Sequence, residues 1–165
     1  MEVNIYADAD EVELLLNGRS LGRKPCTEAQ EYLAVFRFAY EPGTLEAVSY
    51  KNGVETGRDT LATASKTAAL RLTADRPAIA ADGKDLCFVQ ILCLDAAGNP
   101  VLADEREIKV ELLGGGTLAA LGTADPKPDR LLPFAGPICP LYDGAAMAII
   151  RSEGGAKGAL LRVTL

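Results

Sequence analysis

An all-β chain built as two tandem antiparallel sandwiches is the fold this sequence predicts, and three observations predict it. Apolar residues recur with a period of two, as at Val12, Leu14 and Leu16, and no window of about 11 residues carries a convincing helical stripe. Turn pairs such as Asn17-Gly18 and Asn52-Gly53 punctuate the chain, and a type I′ hairpin turn needs their positive φ. An apolar run over residues 86–94, interrupted only by Gln90, lies between Asp82-Gly83 and Gly98-Asn99-Pro100. Its β-branched and aromatic content and its tight bounds read as a central strand.

The first unit is expected over residues 1–65. A short strand at 3–6 leads through the turn Asp8-Ala9-Asp10 into a strand at 11–16 with Val12, Leu14 and Leu16 inward. Asn17-Gly18 turns the chain back along 19–23, and residues 27–34 can hold one helical turn. A strand at 33–40 places Phe36 and Phe38 inward and Arg37 outward. Glu41-Pro42-Gly43 turns, 44–50 is a strand, Asn52-Gly53 a second hairpin turn, 54–56 its partner, and 59–64 closes the unit.

Ser65-Lys66-Thr67 forms a short junction, and a second, Ig-like sandwich is expected over residues 68–165. Its first strand, 68–74, points Leu70 and Leu72 inward. Along 86–94 the alternation sends Cys87, Val89, Ile91 and Cys93 to the core and leaves Gln90 on the wetter face. The next strand, 106–113, buries Ile108, Val110 and Leu112. Gly114-Gly115-Gly116 turns into 117–122. Residues 125–140 hold five of the nine prolines and read as an extended loop, and strands at 144–152 and 158–165 finish the sheet.

Composition excludes several chemistries. The 165 residues include 48% hydrophobic side chains, enough for a core, and a net charge of −6 that repels phosphate backbones, so nucleic acid is not an expected partner. Without a single His there is no Ser-His-Asp or Cys-His nucleophile and no His-ligated zinc; without Trp the strongest sugar-stacking ring is missing. No apolar run nears the ~20 residues of a membrane span, so no membrane partner is expected. Met1 leads directly into Glu2-Val3-Asn4, with neither the basic nor the apolar region of a signal peptide. Cys26, Cys87, Cys93 and Cys139 make no C-x-x-C pair; Cys87 and Cys93, on one strand face roughly 20 Å apart, cannot bond each other, so all four are expected as reduced apolar residues.

Weak candidate sites remain. Glu11 and Glu13 sit on one strand face at a spacing a glycosidase pair could use, but on the side away from the core. Asp8, Asp10 and Glu11 cluster on a turn yet lack the ligand number and spacing of a calcium loop. Gly114, Gly116 and Ala119 fit a loose G-x-G-x-x-A, but no helix follows. Tyr6, Tyr32, Tyr40, Tyr50 and Tyr142 are candidate sugar platforms. No catalytic, cofactor-binding or metal-binding residue is assigned, and no cofactor is implied.

Two stretches carry a family resemblance. Residues 7–24, Ala-Asp-Ala-Asp-Glu-Val-Glu-Leu-Leu-Leu-Asn-Gly-Arg-Ser-Leu-Gly-Arg-Lys, resemble the accessory domain that follows the catalytic barrel in bacterial β-galactosidases of glycoside hydrolase family 2, and residues 40–50, from Tyr40-Glu41-Pro42-Gly43 to Tyr50, continue the likeness. Residues 69–76, 82–101 and 149–152 resemble that family's last Ig-like domain. The likeness covers nearly the whole chain, although Gly122-Thr123-Ala124-Asp125-Pro126 departs from the family's G-N-G-D-P and the strand expected upstream of Val3 is missing. It implies the C-terminal, non-catalytic part of a larger glycosidase whose catalytic glutamates lie in a barrel not found here. The implied partner is the remainder of that chain, and no hydrolysis is expected from these residues alone. A carbohydrate-binding module and an adhesin-type spacer are the alternative readings.

Overall fold

The computed structural model describes residues 1–126, 134, 136–155 and 158–165. Among these described residues thirteen strands follow one another: β1 (Glu2–Tyr6), β2 (Glu11–Leu16), β3 (Arg19–Pro25), β4 (Leu33–Arg37), β5 (Thr44–Lys51), β6 (Val54–Ala62), β7 (Ala69–Ala74), β8 (Leu86–Leu94), β9 (Glu107–Gly114), β10 (Gly116–Gly122), β11 (Ile138–Pro140), β12 (Ala145–Ser152) and β13 (Ala159–Thr164). A 3-10 turn, Glu28–Gln30, is the one helical element among the described residues. The architecture is all-β and antiparallel throughout. The chain divides into two compact units, Met1–Thr63 and Ala64–Leu165.

In the first unit a four-stranded sheet, β3-β2-β5-β6, faces the pair β1-β4. Val12 and Leu14 from β2 and Ala34 and Phe36 from β4 are buried together with Cys26, and Val3, Ile5, Phe38 and Leu45 close the edges of this core. Asn17 and Asn52 adopt φ of 53° and 52°, each followed by a glycine at 76°, as the two hairpin turns require.

Two departures from the expected strands have local causes. β4 ends at Arg37 rather than at 40: Glu2 pairs Arg37, and the Phe38 amide donates the last ladder bond, to the Met1 carbonyl. β6 runs unbroken through Gly57, where a break was expected. Ser49 pairs Gly57 and Tyr50 pairs Glu55, so Thr56 is the extra residue of a bulge that keeps the strand continuous.

The second unit is a sandwich of two sheets, β10-β12-β8-β7 and β11-β9-β13. Strand β8 lies between β12 and β7. Val89, Ile91 and Cys93 project from it into a core completed by Ala146, Ala148 and Ile150 of β12, Ile108 and Val110 of β9, Leu121 and Cys139. Cys87, at the end of the run, is only half-buried, and Leu72, opposite Ile91 on the core-facing side, stays 38% exposed because β7 is the edge strand. The glycine corner carries the chain from β9 in one sheet to β10 in the other. Gly114 takes φ 100°, and a Cβ there would stand 2.7 Å from the Gly158 carbonyl oxygen.

The segment 125–140 is not all loop. Ile138, Cys139 and Pro140 pair with Lys109, Ile108 and Glu107 as the edge strand β11, and an edge tolerates the proline that a central strand would not. The rest of the expected loop, 127–133 and 135, lies outside the described residues.

Candidate functional site

Several acidic residues of the first unit hold its turns and its outer sheet face. Glu13 accepts hydrogen bonds from the Ser20 hydroxyl at 2.7 Å, Arg23 Nε at 3.2 Å and the Tyr50 hydroxyl at 3.1 Å. The Ser20 bond holds its carboxyl below the usual range, against partial desolvation. Arg23 stacks on the Tyr50 ring at 4.0 Å, and its guanidinium also lies 3.9 Å from Glu11. Arg58 bridges Glu46 and Glu55 nearby. Beneath these long side chains Val48 is fully buried on the outward side of its sheet. Glu13 pairs Val48 across the strands, so its carboxylate caps an apolar residue. Asp8 pairs with Lys51 at 3.0 Å, and Asp10 accepts the Asn52 amide at 2.6 Å, fixing the second hairpin.

The candidate tyrosines separate into two groups. Tyr6, Tyr32 and Tyr40 are exposed by 72, 43 and 60%. Tyr50 and Tyr142 are half-buried, the former in the Arg23 stack.

In the second unit, two aspartates are buried, and both hold backbone. Asp95 accepts the amides of Ala97, Asn99 and Ser65 at 2.8 to 3.0 Å and the Asn99 side-chain amide at 3.2 Å. These bonds, the Ser65 one foremost, lower its pKa to about 2. Asp104 accepts the Arg106 guanidinium at 2.6 and 2.9 Å, the Arg106 amide, and the Thr67 hydroxyl. Its pKa also falls far below the ordinary range, chiefly through Arg106. The junction Ser65-Lys66-Thr67 is thus fastened to the second unit at both ends. At the other end of β8, Asp75 accepts the Phe88 amide, Asp82 accepts those of Lys84 and Asp85, and Asp85 accepts that of Ala80.

Near those turns an open cleft of about 320 Å³ lies among Arg76, Ile79, Cys87, Ile150 and Ser152. The one guanidinium on its wall is neutralised by Asp75 at 3.0 Å and Asp85 at 3.7 Å. All four cysteines are free. Burial raises the thiol pKa of Cys87 and Cys93 and pushes Cys139 up to about 11, so these are poor nucleophiles at neutral pH. Among the described residues no group of three or more Cys, Asp or Glu is arranged to hold a metal ion, and no helix is long and apolar enough to cross a membrane.

Both outer faces of the second sandwich mix polar and apolar residues. On β9 and β13 the outward residues include Glu107, Lys109, Glu111, Arg162 and Thr164, with Arg162 and Glu111 paired at 3.2 Å, beside the exposed Leu113 and Leu160, and Ile138 of β11 stands opposite Lys109. On β8 and β12 the residues turned from the core are Phe88 opposite Ile149, Gln90 opposite Met147, and Leu92 opposite Ala145. The face shared with Gln90, expected to be the wetter one, is therefore mostly apolar. Phe88 and Met147 are 38% and 39% exposed. The sequence signal was the length of the 86–94 run: a strand wet on one side would alternate more strictly.

Comparison with known proteins adds the family context. The model of glycoside hydrolase family 2 C-terminal domain 5 matches residues 70–164, and a domain of unknown function, DUF4982, matches residues 1–57. The beta-galactosidase BoGH2A of Bacteroides ovatus is 33% identical over 159 residues, which is 96% of this chain and 18% of that protein. A family 2 glycosyl hydrolase from Bacteroides cellulosilyticus superposes with a TM-score of 0.89 at 31% identity, over 99% of this chain and 22% of that one. A beta-glycosidase from Bacteroides vulgatus shares the fold with a TM-score of 0.84 at 24% identity, over 99% and 21%. The chain thus spans about a fifth of the length of these proteins.

Proposed function

The chain belongs to the glycoside hydrolase family 2 C-terminal domain 5 family, and from that premise we propose that it is a non-catalytic support for the catalytic region of a β-galactosidase-like glycosidase, built as two domains. The observation that carries the reading is the use made of buried carboxylates. Asp95 and Asp104 are saturated by the backbone amides, hydroxyl and guanidinium of their own unit, and neither is offered to a cavity as a paired acid and base would be. Glu13 is similarly held by Ser20, Arg23 and Tyr50.

The test is hydrolysis of an aryl β-galactoside by the purified 165-residue chain. No turnover above buffer is expected; turnover abolished by Glu13→Gln would overturn the reading. A second reading, sugar binding, draws on the exposed rings of Tyr6 and Tyr40. Binding on a glycan array that Tyr40→Ala or Tyr6→Ala removes would favour it.

A further inference from the structure

The second sandwich is closed along one margin and open along the other. Where β10 and β11 form its border, Leu121 and Cys139 are buried. Along the opposite border Leu161 and Val163 of β13 are only partly buried, and Leu72 of β7, core-facing beside the fully buried Ile91, is 38% exposed. The cleft of about 320 Å³ belongs to this border too, with Arg76 and Ile79 after β7 on one wall and Ala159 of β13 on the other.

Topology explains the asymmetry. In chain order β7, β8, β12 and β10 reproduce the A-B-E-D sheet of a constant-type immunoglobulin sandwich, and β9 and β13 stand where the facing sheet has C and F. That sheet normally continues from F to a last strand, G. Here β11 is added beside β9, and among the described residues β13 ends the sheet. The Gly115 amide bonds the Gly158 carbonyl, and the register alternates from there. Leu160, Arg162 and Thr164 therefore turn their backbone N–H and C=O groups to β9, while Ala159, Leu161 and Val163 turn theirs to the open border. Arg162 is the one charge on β13, and Glu111 of β9 pairs with it, so no free charge guards this edge against strand addition.

The place beside β13 fits one strand. Leu72 of β7 faces it from the other sheet. A second copy pairing through its own β13 across a two-fold axis would push its own four-stranded sheet into β7. A strand following β13 needs only a hairpin loop of about two to five residues to lie antiparallel on it. We propose that the edge of β13 is completed by the segment that follows it in the same polypeptide, an extended run whose alternate apolar residues face Leu72 and flank Leu161 and Val163. The inference goes beyond the supporting role: turnover by this chain would undo that role and leave the β13 edge as described.

Amide hydrogen exchange, resolved by residue, tests it. In the product of the complete coding sequence Leu161 and Val163 should be protected as well as Leu160 and Arg162. Exchange of the first pair about a hundredfold faster than the second in that protein overturns the proposal. So does a coding sequence with no such run after Leu165. The same product with a stop codon after Leu165 should lose the protection of Leu161 and Val163; protection that survives the stop assigns the edge to an upstream segment and overturns it. Sedimentation of the 165-residue chain as a dimer, with these two amides protected as concentration rises, assigns the edge to a second copy and does the same. Leu72→Cys gives a readout independent of exchange. Its thiol should label readily in the 165-residue chain and about tenfold more slowly in the complete protein, whereas equal rates contradict the proposal.

Discussion

Thr67 donates its hydroxyl to the Asp104 carboxylate, 37 residues away in the chain and only 8% exposed, and so fastens the junction onto the second unit. The same carboxylate receives the Arg106 guanidinium and amide. Asp104→Ala should therefore destabilise the second unit by about 1–3 kcal/mol, because the Thr67 hydroxyl and the Arg106 amide lose their acceptor. Urea unfolding followed by a probe in this unit measures it. Thr67→Val should cost less, since Arg106 keeps its partner.

Acid should act on the same anchors. Asp95, with a folded pKa of about 2, and Asp104, lowered as well, both titrate below the ~3.9 of an unfolded aspartate. Each binds protons more readily when unfolded. Its contribution is thus fully present above about pH 5 and is lost as the pH falls from about 4 toward 2. Tm of the second unit should hold level from pH 8 to 5 and drop below 4, and Asp95→Asn should flatten that drop.

A glycine tests the fit around the turn after β11. Gly144 takes φ 66°, and a Cβ there would stand 2.1 Å from the Val101 carbonyl oxygen. Gly98 takes φ 88° with open space around it. Gly98→Ala should cost about 1–2 kcal/mol, the conformational term alone. Gly144→Ala should cost distinctly more, because backbone must shift. Thermal melts of the two variants give the comparison.

Thiol labelling reads the burial of the cysteines. Cys26, Cys93 and Cys139 are at most 4% exposed, whereas Cys87 is half-buried beside the cleft. In native protein at pH 8 a single thiol, that of Cys87, should react first with an aromatic disulfide reagent, and all four should react in denaturant. Early labelling of Cys139 would contradict the core described here.

Much of the fold was legible because period-two patterns and turn pairs are local. The run 86–94 became β8 with the same bounds, and Val12, Leu14 and Leu16 went inward as their spacing dictates. What stayed hidden depends on partners distant in sequence. The Thr56 bulge arises from the register of β6 against Ser49 and Tyr50, and β11 exists because β9 offers it an edge. Alternation told that Gln90 turns away from the core; that Phe88, Met147 and Ile149 gather around it required the register of β12 on β8. Likewise Glu13 was legible as outward, but its place over Val48 needed the pairing of β2 with β5.

Strand β6 ends its sheet, and all nine of its residues are exposed. Its free margin carries amides and carbonyls that another extended chain could zip onto, the first step of fibre growth. Glu55, Arg58 and Asp59 stand along that margin, and the Thr56 kink spoils its straightness. An intruding strand would have to strip water from these charges and bend to follow the kink, so the border is guarded against runaway polymerisation while remaining extended enough to complete its sheet.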